Sequence, residues 1–143
     1  MGGVESKVGL VSLYGTPGPI ESDPAILTKP GNARRIFAWK LTETRDPFGN
    51  LIRYEYERDV GERGNQLLLK CIQYVDYGDP VENKFLVQVE FIYEERPDPF
   101  SDYRAGFEIR TTRRCTAIKV STHTETGDEY SVREYRFGST GIR

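Results

Sequence analysis

Two short runs with apolar side chains at every second position constrain the fold of this chain more than any other feature. They span residues 37–41 and 52–56, and a loop rich in turn-forming residues separates them. Because side chains of a β-strand point alternately to opposite faces, a spacing of two predicts strands, whereas a helix needs a spacing of three to four. The two runs therefore predict a β-hairpin.

The loop between the two runs has the chemistry of a tight turn. Asp46 can accept backbone hydrogen bonds, Pro47 fixes φ at the first corner, and Gly49 adopts a positive φ without strain. We expect the hairpin to be specified by these residues of the turn and its flanking strands: Trp39, Asp46, Pro47, Gly49, Asn50, Tyr54 and Tyr56.

Further strand signals follow along the chain. Residues 67–75 are β-prone and apolar on both faces at their start, and residues 85–94 alternate cleanly. The long run 107–122 changes phase near 113–115, which predicts a bulge or a strand break, and residues 130–137 form a last strand. With about seven strands and no helical segment, the sequence predicts an all-β antiparallel meander of β-hairpins, part of a larger sheet.

The same patterning divides the chain into segments. Residues 10–137 carry the strand and turn signals, whereas we expect residues 1–9 and 138–143 to be flexible. Within the patterned part, residues 15–34 hold four prolines and three glycines without an apolar period. This segment predicts a long connecting loop.

Composition and charge exclude several classes of protein. The chain has 20 basic and 22 acidic residues and a formal net charge of −2. Because nucleic-acid-binding domains typically carry a clustered basic excess, we expect no nucleic-acid partner. No apolar stretch approaches the roughly 20 residues of a membrane-spanning helix. Residues 1–7 lack the apolar region of a signal peptide.

Residue types that carry chemistry are sparse. Cys71 and Cys115 form no disulfide framework, and with the single His123 they cannot complete a tetrahedral zinc site. Two arginines precede Cys115 and could lower its pKa, but a small buried apolar role is the simpler interpretation of both thiols. His123 lies beside a predicted turn, where an exposed position at a strand end is expected. We therefore predict a chain that is not an enzyme, with no catalytic, cofactor-binding or metal-binding residues.

Four arginines make up one local basic cluster. Such side chains can contact a partner, a phosphate or an enclosed cargo. In a sheet they more often pair with acidic residues of adjacent strands or neighbours such as Glu108, and we favour this ladder interpretation. The candidates for partner or cargo contact are Arg104, Arg110, Arg113 and Arg114.

The aromatic residues of the hairpin leave a second function open. Trp39, Tyr54 and Tyr56 could stack on sugar rings in a concave groove, as in a carbohydrate- or protein-binding module of a cell-surface or secreted protein. Their positions on the alternating apolar faces favour packing instead.

Two segments resemble a known family. Residues 37–56, FAWKLTETRDPFGNLIRYEY, resemble the hairpin pattern W-x-L-T-x-T-x-D-P-F-G-N-x-I-x-Y-x-Y of SpvB-type proteins. Residues 101–115, SDYRAGFEIRTTRRC, are similar to the S-Y-R-A-G-F-x-x-R-T-x-R-R-C run of the same family. That family includes the N-terminal region of the Salmonella virulence-plasmid B protein and the B subunits of insecticidal toxin complexes. The hairpin also resembles a YD repeat of the Rhs type.

The resemblance implies a structural role for residues 10–137. In toxin complexes the corresponding region forms part of a hollow β-shell around a toxic fragment. It implies a non-catalytic shell segment, partners among the B and C components or a toxic effector, and secretion or translocation within a bacterial toxin assembly. An isolated shell segment would have open strand edges, so we also expect self-association through them.

Overall fold

The structure, a computed structural model, describes residues 2–59, 64–77, 84–123 and 128–138, and these form antiparallel β-structure without an α-helix. A single turn of 3-10 helix covers Ile20–Ser22. The predicted all-β, antiparallel fold class is confirmed. The strands are β1 (Gly2–Glu5), β2 (Val11–Tyr14), β3 (Ile26–Lys29), β4 (Asn32–Trp39), β5 (Leu41–Arg45), β6 (Leu51–Arg58), β7 (Leu67–Tyr77), β8 (Lys84–Asp102), β9 (Ile109–His123) and β10 (Glu129–Arg136).

Eight of these strands form one sheet in the order β1-β2-β5-β6-β7-β8-β9-β10. From β5 to β10 each strand pairs with the next in the chain, so this part is the predicted meander. The β3–β4 hairpin lies between β2 and β5 in sequence and forms a separate two-stranded sheet. This arrangement lets β2 and β5 pair directly although 26 residues lie between them.

In the middle of the large sheet, the register places an apolar row beside a polar row. Residues directly opposite each other in an antiparallel ladder share a face. One row across β6 to β9 is apolar and consists of Tyr54, Ile72, Val89 and Val120. The row beside it is polar and consists of Arg53, Gln73, Gln88 and Ser121. The period-two patterning of the sequence therefore acts across four strands at once.

A small core joins the two sheets. Leu27 of β3 packs with Leu67 at the start of β7, with Ile109 at the start of β9 and with Phe107 just before β9. All four side chains are buried, and Ala38 and Ala105 pack against them. Residues far apart in sequence therefore meet here, and their burial fixes the β3–β4 hairpin onto the large sheet.

The predicted loop 15–34 is partly wrong. Its second half contains β3 and the start of β4, and Leu27 of β3 belongs to the core. The strand is only four residues long, too short to show a period in sequence, and burial rather than alternation holds it in place. Residues 2–5, predicted to be flexible, form β1 and pair with β2. At the other end, residues 139–143 of the predicted flexible tail lie outside the described residues.

Trp39 also differs from the prediction. It lies in β4 opposite Ile26 of β3, whereas the hairpin that carries the turn is formed by β5 and β6. The chain changes partner at Lys40, whose N–H donates to the Ala25 carbonyl and whose own carbonyl accepts from the Gly15 N–H. The apolar alternation continues through this break, and for that reason the sequence predicts a single strand over residues 37–41.

Two irregularities lie in the pairing of β8 with β9. Thr116 is an extra residue between the pairs Ile92–Ala117 and Tyr93–Cys115, close to the phase change seen in the sequence. Residues 96–99 lie unpaired between Glu95 and Phe100, where the prolines of the segment can make no ladder bond. The strand predicted over residues 85–94 therefore does not end at this segment. The segment is a bulge, and β8 continues beyond it to Asp102.

Candidate functional site

The turn between β5 and β6 is closed by one carboxylate. Asp46 accepts hydrogen bonds from the backbone N–H of Phe48 at 2.9 Å, from the Asn50 N–H at 2.8 Å and from the Asn50 side-chain amide at 2.6 Å. The side-chain bond from Asn50 is the largest cause that lowers the pKa of Asp46, since it stabilises the charged form. Gly49 has φ 87°, the left-handed conformation that the turn requires.

The turn is also fixed from outside by the loop between β1 and β2. A Cβ at Gly9 would lie 2.7 Å from Cγ of Pro47, so the two loops are in close contact. The next residue of the turn, Phe48, is 89% exposed. The sequence-predicted turn residues therefore order the hairpin, and they leave one aromatic side chain in solvent.

Tyr54 and Tyr56 of β6 line a groove of about 610 Å³ on the large sheet. Arg45, Arg53 and Lys70 contribute charged side chains to the same groove. The Tyr56 hydroxyl donates to the Leu41 carbonyl at 2.9 Å, and burial is the main cause that raises the pKa of Tyr56. Trp39 is 37% exposed and does not line this groove, so the structure separates it from the two tyrosines.

Two of the four clustered arginines form ion pairs at the surface. Arg114 of β9 lies opposite Glu94 of β8 and donates to one of its carboxylate oxygens at 2.8 and 3.0 Å. Arg104 pairs with Asp102 at 2.6 Å within the turn after β8, and this pair raises the pKa of Arg104. The first pair is a rung of the predicted cross-strand ladder, and the second is local.

The other two arginines lie in a buried polar cluster near the start of β9. Arg113 approaches Glu57 of β6 at 3.7 Å and the following Asp59 at 3.9 Å. The Arg110 side chain donates to Ser101 at 3.3 Å, while its backbone N–H donates to the Asn65 side chain at 2.6 Å. Arg113 therefore joins β9 to the end of β6, and Arg110 joins β9 to β8 and to the segment before β7.

Asp59 is the centre of this cluster, and its side chain is fully buried. Its carboxylate accepts hydrogen bonds from the Thr112 backbone N–H and, at 2.5 Å, from the Thr112 hydroxyl. A Cβ at Gly64 would lie 2.7 Å from the same carboxylate, so the chain passes tightly over it. Sequence reasoning missed Asp59, because its partner Thr112 lies 53 positions away and no local pattern links them.

The groups considered for catalysis are not assembled into one site. Burial raises the pKa of the Cys71 thiol to about 12, which keeps it protonated and poorly nucleophilic at neutral pH. Cys115 has its sulfur 3.4 Å from the Ala117 carbonyl. The buried Nδ1 atom of His123 has no hydrogen-bond partner among the residues that the structure describes. Within the described ranges, no group of three or more His, Cys, Asp or Glu side chains is placed to hold a metal ion.

No helix in the described part of the chain has the length and apolar character needed to cross a membrane.

Both ends of the large sheet are open as far as the chain is described. β1 pairs only with β2, and β10 pairs only with β9. The β10 edge is eight residues long, and it presents three aromatic side chains that are about half exposed: Tyr130, Tyr135 and Phe137 at its end. Such an edge offers unpaired backbone groups to another strand.

Comparisons with known proteins find one matching family model and several solved structures of similar fold. Residues 61–124 match the family model described as Salmonella virulence plasmid 65kDa B protein, SpvB. No curated protein matches the chain significantly. Among solved structures, the N-terminal domain of the effector protein SpvB from Salmonella typhimurium strain LT2 is similar, with a TM-score of 0.77 and 18% identity over 95% of this chain.

Two toxin-complex structures share the fold as well. The TcdB2–TccC3 structure has a TM-score of 0.73 and 21% identity over 92% of this chain. The Tc holotoxin pore of Photorhabdus luminescens has a TM-score of 0.74 and 19% identity over 92%. This chain spans 61% of the SpvB domain and 8% of each toxin-complex chain. The SpvB family model therefore matches residues 61–124 of this chain, and the solved structures share its fold along most of its length.

Proposed function

We propose that this chain is a non-catalytic wall segment of a toxin-complex-type β-shell that encloses or presents a toxic effector. The observation that carries the proposal is the eight-stranded sheet with an open edge at β1 and another at β10. A similar fold accounts for 8% of a chain in the TcdB2–TccC3 structure, so in that protein the fold is one part of a much larger body.

The shape of the sheet suits a wall. A wall grows by pairing strands edge to edge, and each open edge offers a row of backbone N–H and C=O groups for this purpose. The half-exposed aromatics Tyr130 and Tyr135 lie on the β10 edge, where a neighbouring strand would cover them. Under this proposal the partners are other shell components or the effector, and the chain reaches the outside of the cell within the assembly.

The oligomeric state of the chain tests the proposal. We expect concentration-dependent association in size-exclusion chromatography with light scattering, because the β10 edge pairs with another strand. Tyr130→Lys combined with Tyr135→Lys should abolish association, since charged side chains on an edge oppose pairing. Phe48→Lys is the control, because it places a lysine on an exposed aromatic position in a turn, outside β1 and β10, and should leave association unchanged.

Two outcomes would contradict the wall proposal. A chain that stays monomeric at high concentration and unfolds cooperatively would have edges that are already protected. Equal loss of association in Phe48→Lys would show that general surface apolarity, and not the β10 edge, drives self-association.

A binding module is the second candidate, and the groove beside Tyr54 and Tyr56 favours it. Its volume of about 610 Å³ lies within the usual range of ligand pockets, and tyrosine rings are common platforms for sugars. If this candidate holds, Tyr54→Ala should abolish binding to at least one glycan on an array, while Tyr103→Ala, an exposed tyrosine outside the groove, should not. Absence of any glycan bound by the unchanged chain would remove the carbohydrate form of this candidate.

A further inference from the structure

The β3–β4 hairpin carries an excess of positive charge that the overall balance of the chain conceals. Residues 24–42 contain four basic side chains and no acidic one, in a chain with a formal net charge of −2. The remainder of the molecule is therefore clearly acidic. A local basic surface on an acidic protein is a feature of selective recognition rather than of general solubility.

Two of these basic residues lie in a bulge of β4, where they have no partner on β3. The pairs Thr28–Ile36 and Lys29–Asn32 leave residues 33–35 of β4 without partners on β3. Arg34 and Arg35 lie in this bulge and are exposed. Neither guanidinium forms an ion pair with any residue that the structure describes. Bulges commonly re-aim side chains at functional surfaces.

A second irregularity adds an aromatic residue next to the charges. Phe37 is the extra residue between the pairs Leu27–Ala38 and Thr28–Ile36, and it is 46% exposed. A large apolar ring in solvent at a bulge gains free energy only when a partner covers it. Charge and apolar surface therefore occur together on the same short stretch of β4.

The surface extends onto the turn that follows β8. A terminal nitrogen of the Arg35 guanidinium lies 3.1 Å from the position that a Cβ would take at Gly106, so β4 and this turn are in contact. In the same turn Tyr103 is 65% exposed and the Arg104 side chain is 84% exposed. We call the set Arg34, Arg35, Phe37, Tyr103 and Arg104 the basic–aromatic patch.

We propose that the basic–aromatic patch binds an acidic, aromatic-containing segment of a partner polypeptide. The guanidinium groups of Arg34 and Arg35, which have no ion-pair partner among the described residues, can form paired hydrogen bonds with carboxylates, and Phe37 and Tyr103 supply surface for an apolar or aromatic side chain. A nucleic acid fits less well, because its phosphates continue beyond the patch and would meet the acidic remainder of the chain. This inference does not rest on the shell role.

Fluorescence anisotropy with two short fluorescein-labelled peptides tests the proposal. One peptide alternates glutamate with tyrosine, and the other alternates glutamate with serine. The chain should bind the glutamate–tyrosine peptide saturably and more tightly, with an affinity that falls as salt is added. Charge reversal by Arg34→Glu and Arg35→Glu should weaken binding by about tenfold or more, and Phe37→Ser should remove the preference for the tyrosine peptide.

The matched control reverses two other exposed arginines. Arg133→Glu with Arg136→Glu makes the same change in net charge on β10 and should alter binding by less than about twofold. Urea unfolding midpoints of all variants establish that each is folded. Absence of saturable binding, or an equal loss in the β10 control, would overturn the proposal. Tighter binding of a single-stranded oligonucleotide or of anionic lipid vesicles through Arg34 and Arg35 would overturn the choice of partner.

Discussion

At the scale of single residues, the fully buried carboxylate of Asp59 links segments that are far apart in sequence. A charge without solvent must be satisfied by its neighbours, and here Thr112 supplies two hydrogen bonds while Arg113 lies at 3.9 Å. The close approach of Gly64 leaves no room for a larger side chain above it. The hydrogen bonds between Asp59 and Thr112 therefore connect the residue after β6 to the first part of β9.

Asp59→Asn should lower the free energy of unfolding by about 3 kcal/mol, because it removes the charge that Arg113 balances and weakens the hydrogen bonds that Thr112 donates. Urea unfolding followed by far-UV circular dichroism measures the loss. Asp98→Asn is the control, since the Asp98 side chain is 74% exposed and pairs only at the surface with Arg96. The control should leave the urea unfolding midpoint nearly unchanged. Similar losses in both variants would show that Asp59 is not a special site.

At the scale of the element, the β5–β6 hairpin shows how a turn sequence fixes its own geometry. Asp46 accepts bonds from Phe48 and Asn50, Gly49 takes the left-handed conformation, and Pro47 rests on Gly9 of the neighbouring loop. The lowered pKa of Asp46 means that folding favours its charged form. Its contribution to stability is therefore present above the ordinary pKa of 3.8 and is lost as the pH falls through the lower pKa of the folded state.

Asp46→Asn should accordingly destabilise the chain at neutral pH and cease to do so in strong acid. The difference in urea midpoint between Asp46→Asn and the unchanged chain is measured at neutral pH and again at about pH 2. Glu55→Gln, a substitution of an exposed carboxylate on β6 outside the turn, should show no comparable trend. A difference for Asp46→Asn that is the same at both pH values would mean that shape, and not charge, is what Asp46 contributes.

The elements also mark how far the sequence could predict the structure. The β5–β6 turn, β7 and the alternating part of β8 were predicted correctly, because their information is local and periodic. β3 was missed, since four residues after a proline-rich stretch become a strand only when Leu27 meets Phe107. The Asp59–Thr112 contact and the exposed bulge of β4 depend on pairing between distant segments, and no single stretch of sequence encodes them.

At the scale of the whole molecule, the small core decides whether the two sheets behave as one body. Leu27, Leu67, Phe107 and Ile109 are the buried residues that link the β3–β4 hairpin to the large sheet. Trp39 lies on that hairpin and is the only tryptophan of the chain, so its fluorescence reports on the hairpin while circular dichroism reports mainly on the large sheet.

In the unchanged chain the two signals should change together on urea unfolding, as expected of one cooperative unit. Phe107→Ala should lower the free energy of unfolding by about 3–4 kcal/mol and separate the two transitions, with Trp39 responding first. Phe107→Leu keeps most of the buried surface and should cost less, and Phe48→Ala should cost almost nothing because that ring is in solvent. Transitions that remain coincident in Phe107→Ala would show that other contacts hold the sheets together.

The two unlike rows in the middle of the large sheet impose a condition on every strand that joins it. Hydrogen-bond pairing fixes which face each residue of an added strand occupies, and at β10 the register shift places Arg133 opposite Val120, so the apolar row through Tyr54 ends in a charged residue. If the added strand paired one position out of register, each of its side chains would lie on the opposite face, and apolar side chains would lie among polar ones. The β10 edge therefore disfavours a strand that pairs out of register. The alternation that predicts the strands also restricts how further strands can join the sheet.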